Sequence, residues 1–246
     1  MKEGVVISVK NVSKVFKIPH DWQMGLKGTV LNIVLGKSSY EKFYALKDVS
    51  FNVRKGEFIG VIGRNGSGKS TLLKIIAGIL KPTAGSAVVN GKLAPFLELG
   101  LGFQGELSGK DNIYLYGAVL GLTKKQIDEK YKEIVDFAEL GKFTDMKLKN
   151  YSSGMQARLA FSIAMQAEAD ILLVDEVLAV GDAEFQRKCY AHFENLRKQR
   201  KTVLLVTHDL KIVKRYCDKS MYLRGGKLVY QGAPKKIIKM YQGGNN

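Results

Sequence analysis

Gly63-Arg64-Asn65-Gly66-Ser67-Gly68-Lys69-Ser70 fits the pattern GxxxxGK[ST], and Thr71 continues the set. Glycines at these spacings let successive backbone N–H groups converge on phosphate oxygens without interference from a Cβ. A helix that starts at the end of such a loop adds a favourable partial charge for an anion. Lys69 then reaches the β- and γ-phosphates, and the Ser70 hydroxyl ligates Mg2+. The pattern turns up by accident in roughly one chain of this length in a hundred, so its surroundings must decide. Here it follows the apolar run EFIGVIG and opens a helical stretch at about 69–79, as the mechanism requires. The chemistry implied is binding of a nucleoside triphosphate.

A second group sits at the end of ILLVDE, residues 171–176. Four apolar residues predict a buried central strand whose carboxyl end presents Asp175 and Glu176. Ligands of open parallel sheets bind at the carboxyl ends of strands, which puts both carboxylates beside the phosphate loop. Asp175 would hold Mg2+ through water, and Glu176 would polarise an attacking water as general base. His208 closes the run TVLLVTH in the same kind of position. There it would contact a γ-phosphate and orient the water.

The elements that must position these groups follow from local pattern. Residues 5–16 alternate as a strand does, and 44–53 and 57–62 read as strands joined at Arg54-Lys55-Gly56. Asn90-Gly91 is a type I′ hairpin signal between two short strands. From about 105 to 168 the pattern is helical. Thr123 with Gln126 and Ser153 with Gln156 both read as capping boxes, the second for a helix running to about 168. Strands return at 171–174 and 202–206 around a helix at about 183–200, and a last hairpin turns at Gly225-Gly226. Strands alternating with helices predict a mostly parallel sheet covered on both faces, interrupted by a helical arm.

Composition narrows the class. Hydrophobic residues make up 46% and charged residues 25%, ordinary values for a globular chain, and no run of 18 apolar residues is long enough to span a bilayer. The first residues lack the apolar core of a signal peptide, so a cytoplasmic location is expected. Cys189 and Cys217 show no CxxC spacing, and His20, His192 and His208 no metal-ligand spacing. Thirty-nine Lys and Arg against 23 Asp and Glu give a formal charge of +16, a surface suited to nucleic acid, an anionic membrane leaflet or an acidic polymer.

Tyr151-Ser152-Ser153-Gly154-Met155-Gln156-Ala157-Arg158 resembles the signature motif of ABC ATPases, LSGGQ followed shortly by Arg. Ser153, Gly154 and Gln156 match, while Ser152 and Met155 replace Leu and the second Gly. The resemblance covers residues 5 to 232 and implies an α/β, P-loop NTPase (RecA-like) fold. Its core would be residues 1–104 and 169–246, with a mostly parallel sheet and an antiparallel β subdomain. An inserted α-helical subdomain would span 105–168. It also implies ATP and Mg2+ as cofactors and a head-to-tail dimer, in which Ser153, Gly154 and Gln156 bind the γ-phosphate held by a second copy. Gln104 is similar to the Q-loop glutamine that senses Mg2+, although the short GELSGKDNI follows it. Asp182 resembles the D-loop aspartate. Phe16 is the candidate to stack on adenine, with Tyr44 as alternative.

Two features single out a subgroup. Residues 21–42 form an amphipathic insertion, with Leu26, Val30, Leu31, Ile33, Val34 and Leu35 on one side of a helical wheel and Trp22 as an anchor. Two glycines make it marginal as an isolated helix, so it must lie on its own core, on a partner or at a membrane interface. The stretches LGLGFQGELSG and DEVLAVGD resemble the ATPase subunits of bacterial surface-polysaccharide exporters, the Wzt and teichoic-acid group. That resemblance implies a membrane permease in two copies, a second copy of this chain, a lipid-linked polysaccharide cargo and peripheral contact with the inner leaflet. No nucleic acid and no C-terminal carbohydrate-binding domain are expected. A cassette for another cargo is the nearer rival. A ribosome- or DNA-directed ATPase is the remote one, because those relatives carry tandem cassettes or a long coiled coil.

Overall fold

Three apolar runs, Phe58–Ile62, Ile171–Asp175 and Thr202–Val206, are buried along nearly their whole length. Runs of this kind are stable only where both faces of a sheet are covered. The computed structural model, which describes residues 3–19, 40–97, 99–175 and 181–243, places them as neighbours in one sheet. Numbered in chain order, the strands are Val5–Pro19 (β1), Tyr40–Arg54 (β2), Phe58–Ile62 (β3), Ala84–Val89 (β4), Leu93–Phe96 (β5), Ile171–Asp175 (β6), Thr202–Val206 (β7), Lys219–Arg224 (β8) and Lys227–Gly232 (β9). The six-stranded sheet has the order β5-β6-β7-β3-β8-β9, parallel throughout except for β9. A second, antiparallel sheet has the order β2-β1-β4.

The helices are Lys69–Ile76 (α1), Gly109–Val119 (α2), Lys124–Ala138 (α3), Ser153–Ala164 (α4), Ala183–Lys198 (α5), Leu210–Tyr216 (α6) and Pro234–Gly243 (α7). Leu72 and Leu73 of α1 are buried between the two sheets, in one core with Ile7 and Val49 of the antiparallel sheet and Ile59 and Leu204 of the parallel one. A larger core joins the other face of the parallel sheet to α2–α4. At their junction Phe137 of α3, Phe161 of α4 and Phe185 of α5 meet with centroids 5.6–6.1 Å apart. Aromatic pairs at such separations add about 0.5–1.5 kcal/mol each beyond the area they bury. The arm is thus fastened to the sheet by rings.

Three local expectations are corrected. Asn90-Gly91 does not close a hairpin: β4 pairs with β1 and β5 with β6, so the chain changes sheets there. Asp170 anchors the crossing, its carboxylate accepting from the Lys92 N–H at 3.1 Å. The cap of α4 is Ser152, whose side chain accepts from Met155 N, so Ser153 is the first helical residue and the helix stops at Ala164. The insertion expected over 21–42 ends earlier, because Tyr40, Glu41 and Lys42 already belong to β2; residues 20–39 lie outside the described ones.

The Thr123–Gln126 capping box is present in full, with a second at Ser108–Asp111 that the pattern did not announce. Thr123→Ala should cost about 1 kcal/mol, read as a lower urea midpoint with an unchanged slope.

Candidate functional site

The register of the parallel sheet aligns the chemistry. Val61 of β3 lies opposite Val206 of β7, and Val206 lies opposite Asp175 of β6. One row therefore runs from the strand feeding the glycine-rich loop to Asp175, across two inter-strand spacings or about 10 Å. Glu176, the expected general base, lies outside the described residues.

The loop leaves the start of its helix uncapped. Gly68 caps α1 with φ 102°, a left-handed conformation, and α1 has neither a side-chain cap nor an acidic residue in its first turn. The five helices α2–α6 each have a Ser, Thr or Asp side chain accepting from their first-turn N–H groups. Only at α1 among these six are those donors left without a side-chain acceptor, although an uncapped helix end is unfavourable. The buried Ser67 Oγ likewise has no hydrogen-bond partner among the described residues. A Cβ on Gly63 would come within 2.4 Å of that oxygen and 2.5 Å of the Leu223 carbonyl, so only glycine fits there. Lys69 is buried, its ammonium donating to the carbonyls of Gly63 at 2.9 Å and Arg64 at 3.1 Å.

A cavity of about 430 Å³ opens over this loop, lined by Asn65, Gly66, Gly68, Lys69, Ser70 and Thr71, with Asp175, Leu97, Ala45 and Phe43 around them. Phe43 was missed by sequence reasoning. Phe16 stands directly opposite it across the β1–β2 pair, so the two rings share a face, whereas Tyr44 points to the other. The register that brings Phe43 to the cavity is tertiary, and no local pattern carries it. His208 and Gln104 are exposed and are not among the lining residues. His208 follows β7 in a turn tied by Thr207, whose hydroxyl accepts from Asp209 N, and by Asp209, which caps α6.

The residues Ser152, Ser153, Gly154, Met155 and Arg158 line a different cavity of about 730 Å³, together with Glu139, Phe143 and Asp182. Among the described residues it has no lining residue in common with the first. Ser153 is exposed at the tip of α4. Gln156 turns away, its amide donating to the carbonyls of Leu148 and Tyr151 and so bracing the loop ahead of the helix. Arg158 pairs with Glu139 at 2.7 Å and with Asp182 Oδ2, and stacks over Phe185. Lys188 pairs with the other oxygen of Glu139. Asp182 Oδ1 meanwhile caps α5, accepting from Glu184 and Phe185 N–H. The hydrogen bond from Lys188 holds the Glu139 carboxyl below its ordinary value, and the Phe185 amide does the same for Asp182.

Comparison with known proteins decides what this arrangement is. Residues 46–179, from β2 past the end of β6, match the family described as ABC transporter. This chain belongs to the ABC transporter family. It is an ATPase of that family, whose ATP hydrolysis is coupled to transport. The O-antigen export system ATP-binding protein RfbB of Klebsiella pneumoniae is 42% identical over 242 residues, 96% of this chain and 97% of that protein. The teichoic acids export ATP-binding protein TagH of Lactococcus lactis subsp. lactis is 41% identical over 217 residues, 88% of this chain but 46% of that protein. A solved dimeric ATP-binding cassette in a post-hydrolysis state, bound to ADP and Pi, shares the fold with a TM-score of 0.72 at 24% identity, over 93% of this chain and 98% of that one. Among the described residues, no helix is long and apolar enough to cross a membrane.

Ser152→Ala should lower stability by about 1 kcal/mol through loss of the cap, while Ser153→Ala leaves it unchanged; chemical denaturation separates the two. Because Glu139 and Asp182 have depressed folded pKa values, their contribution is complete above roughly pH 4–4.5, the ordinary carboxyl range. It is lost as pH falls through the lower folded values. Glu139→Gln should therefore flatten the acid limb of a stability–pH curve.

Proposed function

We propose that this chain is the ATP-hydrolysing subunit of an exporter that moves a lipid-linked surface polysaccharide, of O-antigen, capsule or teichoic-acid type, across the cytoplasmic membrane. The observation that carries the motor is the pair of separate cavities. One is a phosphate cradle with uncapped donors, and the other is an exposed helix tip with no share in that cradle. A second copy, placed head to tail, brings the tip at Ser153 and Gly154 onto the triphosphate held at Lys69. ATP then becomes the contact between two protomers, and its hydrolysis releases them. The cargo reading rests on the 42% identity to an O-antigen export protein along nearly its full length.

The donor set fits Mg2+. Among the described residues no cluster of three His, Cys, Asp or Glu could hold a metal. Magnesium needs no such cage, because it keeps several waters and takes one or two protein oxygens plus phosphate oxygens. Ser70 and Asp175, which line the same cavity, would supply those oxygens, with Gln104 joining from the arm. When bound, the ion offsets charge on the phosphates. The protein's own part is to hold the triphosphate on the loop amides and Lys69, to orient water through His208, and to accept its proton at Glu176. Phe16, with Phe43 beside it, supplies the surface for adenine.

Two copies of an integral-membrane permease complete the assembly, which places this subunit on the cytoplasmic face of the inner membrane. The formal +16 favours that site, since each Lys or Arg near an anionic leaflet contributes about 1 kcal/mol.

Glu176→Gln should abolish turnover while leaving ATP binding intact and trapping a stable ATP dimer, seen by size-exclusion chromatography; retained turnover would remove Glu176 as the base. Lys69→Ala should weaken nucleotide binding itself, measured by titration with a fluorescent ATP analogue. Deleting residues 24–35 should spare basal ATPase yet stop polysaccharide from reaching the cell surface.

A further inference from the structure

Asn112 is fully buried in the second turn of α2. Asparagine is a poor helix former, and an amide taken out of water is costly unless hydrogen-bonded. An apolar side chain would suit such a position better, so the bonds that Asn112 makes must account for it. They all go to the loop ahead of the helix. Its Oδ1 accepts from Gln104 N at 2.7 Å, and its Nδ2 donates to Gln104 O at 3.0 Å and Ser108 O at 2.9 Å, with a longer contact to Leu107 O at 3.4 Å. Both peptide groups of Gln104 are thus held by one buried side chain, while the Gln104 side chain itself is exposed.

We infer that Asn112 is the positioning residue for Gln104, clamping its backbone so that the glutamine side chain leaves the arm in one fixed direction. The inference rests on the reading of Gln104 as a magnesium-sensing group. The clamp also settles which body Gln104 belongs to. The segment after it is bonded to residues 144–149: Lys149 N donates to Gly105 O, Leu148 N to Leu107 O, Gly109 N to Met146 O and Lys110 N to Thr144 O, all at 2.8–3.0 Å. Glu106 pairs with Lys147 at 3.1 Å and Lys149 at 2.9 Å. Residues 144–149 lead directly to Ser152, the cap of α4. Gln104 is therefore carried by the arm and moves with the Ser153 tip. Asn112 transmits that movement to the glutamine and touches no nucleotide.

The test uses the full chain assembled with its permease. For each variant the readouts are turnover, the Mg2+ concentration giving half-maximal ATPase, and the affinity for a fluorescent ATP analogue without Mg2+. Asn112→Ala should raise the Mg2+ requirement and lower turnover, each by about fivefold or more, since it removes both bonds to Gln104 and one neutral hydrogen bond alone carries about fivefold. Mg2+-free affinity should stay at the wild-type value. Added to Gln104→Ala, the same change should do nothing further. Additive effects, or a fall in Mg2+-free affinity as large as the fall in turnover, would make Asn112 a packing residue only and overturn the inference. Asn112→Asp keeps the shape and the acceptor for Gln104 N but not the amide donors, and serves if the alanine variant fails to fold. It should shift the Mg2+ requirement in the same direction, and a wild-type requirement counts against the clamp. If Gln104→Ala itself leaves Mg2+ dependence and turnover unchanged, the reading of Gln104 falls, and the inference with it. An impaired Gln104→Ala beside an unimpaired Asn112→Ala sinks the positioning role alone.

Discussion

The first turn of α1 is left with backbone donors that no side chain among the described residues caps, and most of the architecture follows from keeping them available. An uncapped helix end is unfavourable by itself, so the surrounding structure must hold it in place. β2 does part of this. Its Ala45 carbonyl sits 2.4 Å from where a Cβ on Gly68 would stand, so the strand packs against the loop with room only for glycine. Behind the loop, Leu72 and Leu73 are buried between the two sheets, which fixes the helix axis. The parallel sheet then brings Asp175 to the same edge, because β6, β7 and β3 are neighbours in register. An anion at that point is what the proposed nucleotide site would supply to the donors that folding has left open.

Much of this was legible in the residues, for reasons that can be stated. The glycine pattern encodes a backbone conformation directly. The apolar runs at Phe58–Ile62, Ile171–Asp175 and Thr202–Val206 encode two-sided burial and hence a parallel sheet. The Gly225-Gly226 hairpin was legible too, since β8 and β9 are joined there as expected. What could not be read is the choice of partner. Asn90-Gly91 carries the local signal of a hairpin, but β4 finds β1 and β5 finds β6, and pairing across sheets is decided by packing. Phe43 beside the phosphate cavity is unreadable for the same reason. The cap of α4 is a finer case. Ser152 and Ser153 are chemically equivalent neighbours, and only the φ and ψ at the helix entry distinguish them.

The helical arm is joined to the core by two kinds of contact with different consequences. The ring cluster packs Phe137 and Phe161 of the arm edge-on against Phe185 of α5. The ion pairs of Arg158 with Asp182 and of Glu139 with Lys188 cross from the arm to α5 and its cap, and they are directional. Residues 105–110 are bonded to residues 144–149, which ties the start of the arm to the loop ahead of α4.

Asp182 divides its two oxygens between two tasks. Oδ1 closes the start of α5, and Oδ2 meets Arg158. The division means that the tether can be slipped while the post stays upright. The first turn of α5 has its acceptor in Oδ1, which does not depend on the pairing of Oδ2 with Arg158. The two ionic contacts that reach α5 and its cap from the arm, Arg158 with Asp182 and Glu139 with Lys188, are thus separate from the backbone bonding that holds the start of that helix.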